Sequence, residues 1–340
     1  MAQNAFGVDI GTNSIKIYNK NMDTILNEKN VIAIQNKTKV YAIGDEAYDM
    51  YEKAPDNIKI NFPVKFGVIA DIQNMQTLFE QFIKKSKGAK HALQSGDFCI
   101  AVPTDITEVE KRAFSDLVHS AKVKAKNITI VEKSVADGVG VGIEVDSPRG
   151  NMIVDFGADT TEISVLSLGG IVISRLVPIG GNRLDENICA LVRKKYNLII
   201  GMKTAEILKK RLSNAIECEN VSLKVYGRDL VSGLPLERAI SAETVYEAIH
   251  DTLYNIVADI KLILERTPPE LAADIIDTGI FVTGGSASLK NFGTLISNET
   301  ELKVNIPEFP ENCVAKGLAR ILTDSEYTSL SYVPREKMIN

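Results

Sequence analysis

A chain of 340 residues, 45% hydrophobic and 24% charged, can bury a large core without disulfide or metal and has room for two domains or one bilobed unit. Its net charge of −5 and pI near 5.5 argue against a general nucleic-acid binder, which carries a basic stripe. Cys99, Cys189, Cys218 and Cys313 are scattered without a C-x-x-C, and His91, His119 and His250 are isolated, so neither a zinc site nor a histidine-based triad is expected.

No charged-then-apolar signal opens the chain and no apolar run approaches the ~18–20 residues of a membrane span, which points to the cytoplasm. Phe6, Val8 and Ile10 alternate, Gly11-Thr12-Asn13 turn the chain, and Ile15 and Ile17 alternate with Lys16 and Tyr18, the pattern of a β-hairpin. A third strand is expected at 31–34, helices at 75–85 and 107–121, and apolar strands at 98–102 and 128–131. The second helix opens on Thr107-x-x-Glu110, a capping box in which each side chain satisfies an orphan backbone donor. This mixture is α/β. The glycine-rich stretch 138–142 follows Val135-Ala136 in a helical context and reads as close packing of a helix against the opposing half.

At Asn151 the pattern restarts. Met152-Ile153-Val154 is a buried-type strand, Asp155-Phe156-Gly157 repeats Asp9-Ile10-Gly11, and a second hairpin arm follows at 162–167. Two apolar strands that each end in Asp-x-Gly, with Thr or Ser just beyond, amount to an internal duplication. Helices are expected at 182–196 and 204–215, a β-rich insert at 221–240, and a long helix at 242–265 stopped by Pro268-Pro269. A strand at 279–282 enters the Gly284-Gly285 turn, a helix at 313–322 closes the fold, and the tail from 325 to 340 is expected to be loosely held.

Three loops carry the chemistry: 9–14, 155–161 and 283–288. Each follows an apolar strand, and glycine there lets the backbone approach a phosphate while Thr12, Ser14, Thr160 and Thr161 can donate to its oxygens. Asp9 and Asp155 repel phosphate, so carboxylates at those places make sense if they hold a hydrated Mg²⁺. No G-x-x-x-x-G-K-[ST] is present, which excludes a P-loop.

Asp9-Ile10-Gly11-Thr12, Asp155-Phe156-Gly157 with Thr160-Thr161-Glu162, and Thr283-Gly284-Gly285 resemble the two phosphate motifs and the adenosine motif of the actin superfamily. Phe66-Gly67-Val68-Ile69-Ala70-Asp71, Val102-Pro103 with Glu108-Val109-Glu110-Lys111-Arg112-Ala113, Thr204-Ala205-Glu206, and Pro268-Pro269-Glu270-Leu271-Ala272 resemble the rod-shape-determining bacterial actins of the MreB family. The resemblance runs colinearly from about residue 6 to 322. It implies an α/β, actin-like ATPase fold of two duplicated lobes, 1–145 and 146–324, with four subdomains and with ATP and Mg²⁺ in the cleft between the lobes. Motif by motif it places the nucleotide on Gly11, Thr12, Asn13, Ser14, Gly157, Ala158, Asp159, Thr160, Glu206, Ile207, Lys209, Gly284, Gly285, Ser286 and Ala287, and the metal on Asp9 and Asp155. Glu206 and Lys209 lie three apart, on one helical face.

The sequence also departs from the family. Where relatives carry two glutamates and a proline, this chain reads Glu132-Lys133-Ser134. The second family glutamate helps position the attacking water, and a charged lysine cannot accept a proton from it, although it can attract the γ-phosphate. With Glu132, Lys133 and Thr160 as the catalytic set, hydrolysis is expected to be slow. Ala158, Asp159 and Ser286 replace family glycines.

Family members reach membranes through an N-terminal amphipathic helix or an apolar loop. Only five residues precede the first strand, so the loop from Lys84 to Gly96 is the candidate, with Lys84, Lys85, Lys87, Lys90 and a solitary Leu93. The resemblance further implies head-to-tail self-assembly and cell-elongation and wall-synthesis proteins as partners, with no nucleic acid. A chaperone ATPase would need a further substrate domain and a sugar or acetate kinase a substrate-activating carboxylate. The stronger rival is a non-hydrolysing regulatory paralogue that co-assembles with an active relative.

Overall fold

The computed structural model describes residues 4–87 and 95–334. The first hairpin pairs Ala5–Ile10 with Ser14–Asn19 antiparallel, and Thr24–Lys29 continues the meander. Gly96–Val102 then adds parallel to the first strand and Ala125–Glu132 parallel to that. The second sheet repeats this plan: Asn151–Phe156, Thr161–Ser167 and Gly170–Val177 form the meander, and Ile280–Thr283 and Val304–Asn305 add parallel on the other side. The central strands read as continuous apolar runs because both faces are covered, the situation of parallel strands packed by helices.

Ile72–Lys87 and Glu108–Ser120 pack on the first sheet and Ala242–Arg266 on the second, with Gly181–Tyr196 packed against Ala242–Arg266. The Thr107–Glu110 capping box is present, with both reciprocal bonds. Each lobe also carries a smaller sheet, Ile32–Gln35 with Lys39–Ile43 and Ile58–Asn61 in one, Leu198–Ile199 with Ser222–Asp229 and Pro235–Ser241 in the other. Each lobe has its own apolar core, and a third core joins them.

That third core is built on the connecting helix Lys133–Val141 and the closing helix Cys313–Thr323. A Cβ at Gly140 would overlap the Cys313 carbonyl, and one at Gly317 would overlap the Ala136 carbonyl. The two backbones therefore touch, and the glycine-rich stretch at 138–142 packs as expected from the sequence.

Three local differences stand out. Thr24–Lys29 was not evident as a strand because its outer position leaves it largely exposed and without apolar alternation. Pro269 ends one helix but also begins another, Pro269–Thr278, since a first-turn proline gives up an N–H that has no helical partner anyway. The described part of the segment expected to be a loose tail, residues 325–334, is held, and residues 335–340 lie outside the described ones. Ser325–Leu330 forms a 3-10 turn, and Tyr332 exchanges two backbone hydrogen bonds with Ile130, 2.8 and 2.9 Å. Ala125–Glu132 is a sheet edge with unpaired donors and acceptors, and a single bridging residue satisfies two of them without any periodicity to announce it.

Candidate nucleotide cleft

The two hairpin turns face one another across a cleft of about 900 Å³, the size of an ordinary small-molecule site. Their geometry is duplicated as well as their sequence. Gly11 N donates to Ser14 O at 3.0 Å, and Gly157 N donates to Thr160 O at 2.9 Å. A Cβ would lie 2.9 Å from Ser14 O in the first turn and 3.0 Å from Thr160 O in the second, so both turns are tightest with glycine. Asp9 and Asp155 end the equivalent strands, and both are buried.

The loop after Ile280–Thr283 closes the base of the cleft. Gly284 has φ +84°, and a side chain there would run into Asp155. Ser286 donates its hydroxyl to Gly157 O at 2.8 Å and ties this loop to the second turn.

Opposite, Lys209 Nζ lies 2.7 Å from both Gly181 O and Asp185 Oδ2, and Lys210 pairs with Glu206 at 2.7 Å. Burial, opposed by Lys209, raises the Asp185 carboxyl to about 6. Tyr48 reaches from the first lobe to donate to Glu206 Oε2 at 3.1 Å, with Lys29 and Lys203 over its ring. Glu52, also from the first lobe, accepts from Met202 N at 2.9 Å and so caps the helix Met202–Leu212, which has no side-chain cap of its own. At the front, Asp159 accepts from Phe66 N at 3.1 Å and from Asn182 Nδ2 at 2.7 Å, and Gly67 N donates to Thr12 Oγ1 at 3.3 Å. Asp159 thus spans the lobes.

Of the residues expected at the site, Gly11, Thr12, Asn13, Ser14, Gly157, Ala158, Asp159, Thr160, Glu206, Lys209, Gly284, Gly285, Ser286, Asp9, Asp155 and Lys133 line this one cleft. Three do not. Ile207 is 52% exposed on the outer face of its helix, because only positions three and four apart share a face with Glu206. The Ala287 side chain is buried in the second-lobe core. Glu132 points away from the cleft, with Tyr332 Oη donating to it at 2.6 Å and Lys111 Nζ forming an ion pair at 3.6 Å, since it precedes Lys133 and neighbours on an extended backbone face opposite sides. In this arrangement its side chain is not part of the cleft lining.

Lys133 is the unexpected centre of the site. Its Nζ lies 3.0 Å from Asp155 Oδ2. Burial alone would lower its pKa, but Asp155, then Asp9 and Glu162, carry it well above the usual 10.5. Around it, Thr283 Oγ1 donates to Asp137, whose other oxygen has no partner, and burial with the Asp155 charge raises the Asp137 carboxyl. Glu162 accepts from Thr104 N and Oγ1, each at 3.1 Å, and burial raises it to about 7. On the other side of the cleft Lys16 Nζ sits 3.3 Å from Asp9 Oδ2 and 3.2 Å from Ser14 Oγ.

Mg²⁺ was expected on Asp9 and Asp155, and the donor set does not fit it in that form. Each carboxylate carries its own ammonium, and the pair at 3.0 Å is held by roughly 5 kcal/mol of Coulomb attraction at an effective dielectric near 20, before solvent screening. A hard cation seeks unneutralised oxygens. Lys16 was legible in principle: counting outward from the turn pairs Asp9 with Lys16 across the hairpin, as observed. Tyr48, Glu52, Asn182 and Asp185 gave no signal, because what brings them to the cleft is tertiary.

The sequence model of the MreB/Mbl protein family matches residues 3–329. The chain belongs to the MreB/Mbl family. It is 36% identical to the cell shape-determining protein Mbl of Bacillus subtilis over 94% of this chain and 96% of that protein. Likeness to the cell shape-determining protein MreB of Escherichia coli is also 36%, over 95% of this chain and 94% of that one. Among solved structures, MreB5 of Spiroplasma citri bound to ADP superposes with a TM-score of 0.90 at 32% identity, covering 97% of this chain and 98% of that one. The MamK double helical filament, at 19% identity and a TM-score of 0.79, shares the fold. The MreB/Mbl chain described here is thus an actin-like α/β protein, two duplicated halves around one cleft.

Proposed function

We propose that this chain binds ATP between its lobes, 1–145 and 146–324, and assembles head to tail into filaments that support cell shape by organising wall synthesis at the membrane. The observation that carries the reading is the duplicated glycine turn, two amide-lined loops with hydroxyls at Thr12, Ser14 and Thr160 facing one cleft. Relatives named above point the same way: MreB5 of Spiroplasma citri is known bound to ADP and to AMPPNP, and Mbl and MreB are cell shape-determining proteins. Heterologous contacts that do not close generate filaments, with the chain itself as first partner and elongation and wall-synthesis proteins as others. Among the described residues no helix is long and apolar enough to cross a membrane. Contact with anionic lipid is assigned to the loop 84–96, at about 1 kcal/mol per near-surface lysine. Residues 88–94 of that loop lie outside the described ones, and Lys85 already pairs with Glu28.

ATP turnover is slow in this reading. Lys133 occupies the place of the water-positioning glutamate and cannot take a proton, and Thr160 alone is left to orient water. Loss of a general base costs on the order of 10²-fold. Phosphate release by Lys133→Glu should exceed that of the native chain by about this factor, and equal rates would remove Lys133 from the account. The burial of Lys133 against Asp155 also favours a second reading, a non-hydrolysing paralogue that co-assembles with an active relative. Sedimentation of the purified chain separates the two: pelleting with ATP supports self-assembly, and pelleting only when an active relative is added supports the paralogue.

A further inference from the structure

The charge pattern of the duplicated hairpins is not itself duplicated. In the first copy, the residue paired with Asp9 across the hairpin is Lys16, and in the second the residue paired with Asp155 is Glu162. The second acid is served by Lys133 instead, from the start of the connecting helix. Both acids end up with a lysine, from unrelated places in the fold. Both ammonium groups line the cleft while their side chains are only 8% and 18% exposed. An ammonium has three donors. Lys133 points one at Asp155, and Lys16 uses two, on Asp9 and Ser14.

We propose that Lys133 and Lys16 are resident cations that take over charge compensation at the two acids, so that this chain holds ATP without the divalent ion that paired carboxylates would otherwise require. The arrangement has the balance this needs, two carboxylates against two ammonium groups, with donors left for phosphate oxygens. Glu162, also buried beside Lys133, is served by the amide and hydroxyl of Thr104, and one Asp137 oxygen by the hydroxyl of Thr283, so neither acid draws on the two ammonium groups through a direct hydrogen bond. The proposal rests on the reading of the cleft as an ATP site and deepens it.

The test is calorimetric titration of the nucleotide-free full chain with ATP, once in excess MgCl₂ and once in excess EDTA. The expected result is affinities within about threefold of each other, a difference of about 0.6–0.7 kcal/mol. Lys133→Gln and Lys16→Gln should each lose about tenfold or more of their affinity in EDTA and regain it in MgCl₂, while Lys133→Arg should bind in both. The native-chain comparison needs no variant, so a variant that fails to fold leaves the test intact. Loss of more than about tenfold by the native chain on chelation would overturn the proposal and leave the ATP site standing. Native-like binding of both glutamine variants in EDTA would overturn it too. No heat from the native chain in either buffer would remove the ATP reading itself, and the proposal with it.

Discussion

Lys133 shows how much one position can change when its neighbours are acids. From the sequence it is a lost glutamate, and that much was legible. Its ion pair with Asp155, and the company of Asp9, Asp137 and Glu162, were not, because these residues come from strands and helices far apart along the chain. Reversing its charge should therefore do more than alter turnover. Lys133→Glu places another carboxylate among four, and its melting temperature should fall in EDTA and recover in MgCl₂; a variant as stable as the native chain in both would show that the cluster is better solvated than its burial implies. Glu162 gives a prediction in pH. Its carboxyl is held near 7 in the folded chain against an ordinary 4.5, so between these values the folded state keeps a proton that the unfolded chain has released. Stability is then greatest on the acid side and declines as pH rises from about 4.5 to 7, by on the order of 3 kcal/mol. Urea unfolding across that range should show the decline in the native chain and a flatter profile in Glu162→Gln, and parallel profiles would contradict the assignment.

At the scale of elements, what was legible followed from local chemistry. The capping box at Thr107, the proline stop after the long helix and the hairpin turns were all visible because their causes lie within a few residues. The glycines of 138–142 announced close packing but not the partner, since Gly317 lies far along the chain. Gly140→Ala or Gly317→Ala should lower stability by about 3 kcal/mol, because the added methyl meets backbone that cannot rotate away, whereas Gly142→Ala meets no atom and is strained only by its φ of +89°. Thermal unfolding of the three variants checks the ranking. The helix Met202–Leu212 offers a second test, since its cap is borrowed from Glu52 across the cleft. Glu52→Ala should cost about 1 kcal/mol of that contact and speed nucleotide release about fivefold, an effect readable by stopped-flow exchange of a fluorescent ATP analogue.

The whole molecule was largely visible in one fact, the repeat of an apolar strand ending in Asp-x-Gly. Duplication implies two lobes of one plan, and two facing turns imply a shared ligand between them. Hidden from the sequence were the devices that hold the lobes together: Tyr48 on Glu206, Asp159 on Phe66 and Glu162 on Thr104, each a contact between residues more than 50 positions apart. The same distance explains why the docking of Tyr332 on Ile130 looked like a loose end. The account stands on the two turns acting on one nucleotide, and calorimetric titration of the folded chain with ATP tests that most directly. It predicts a single saturable site per chain that is lost in Gly11→Val and equally in Gly157→Val, with each variant still folded by circular dichroism. Saturable binding that survives both substitutions, or no binding by the native chain, would contradict it.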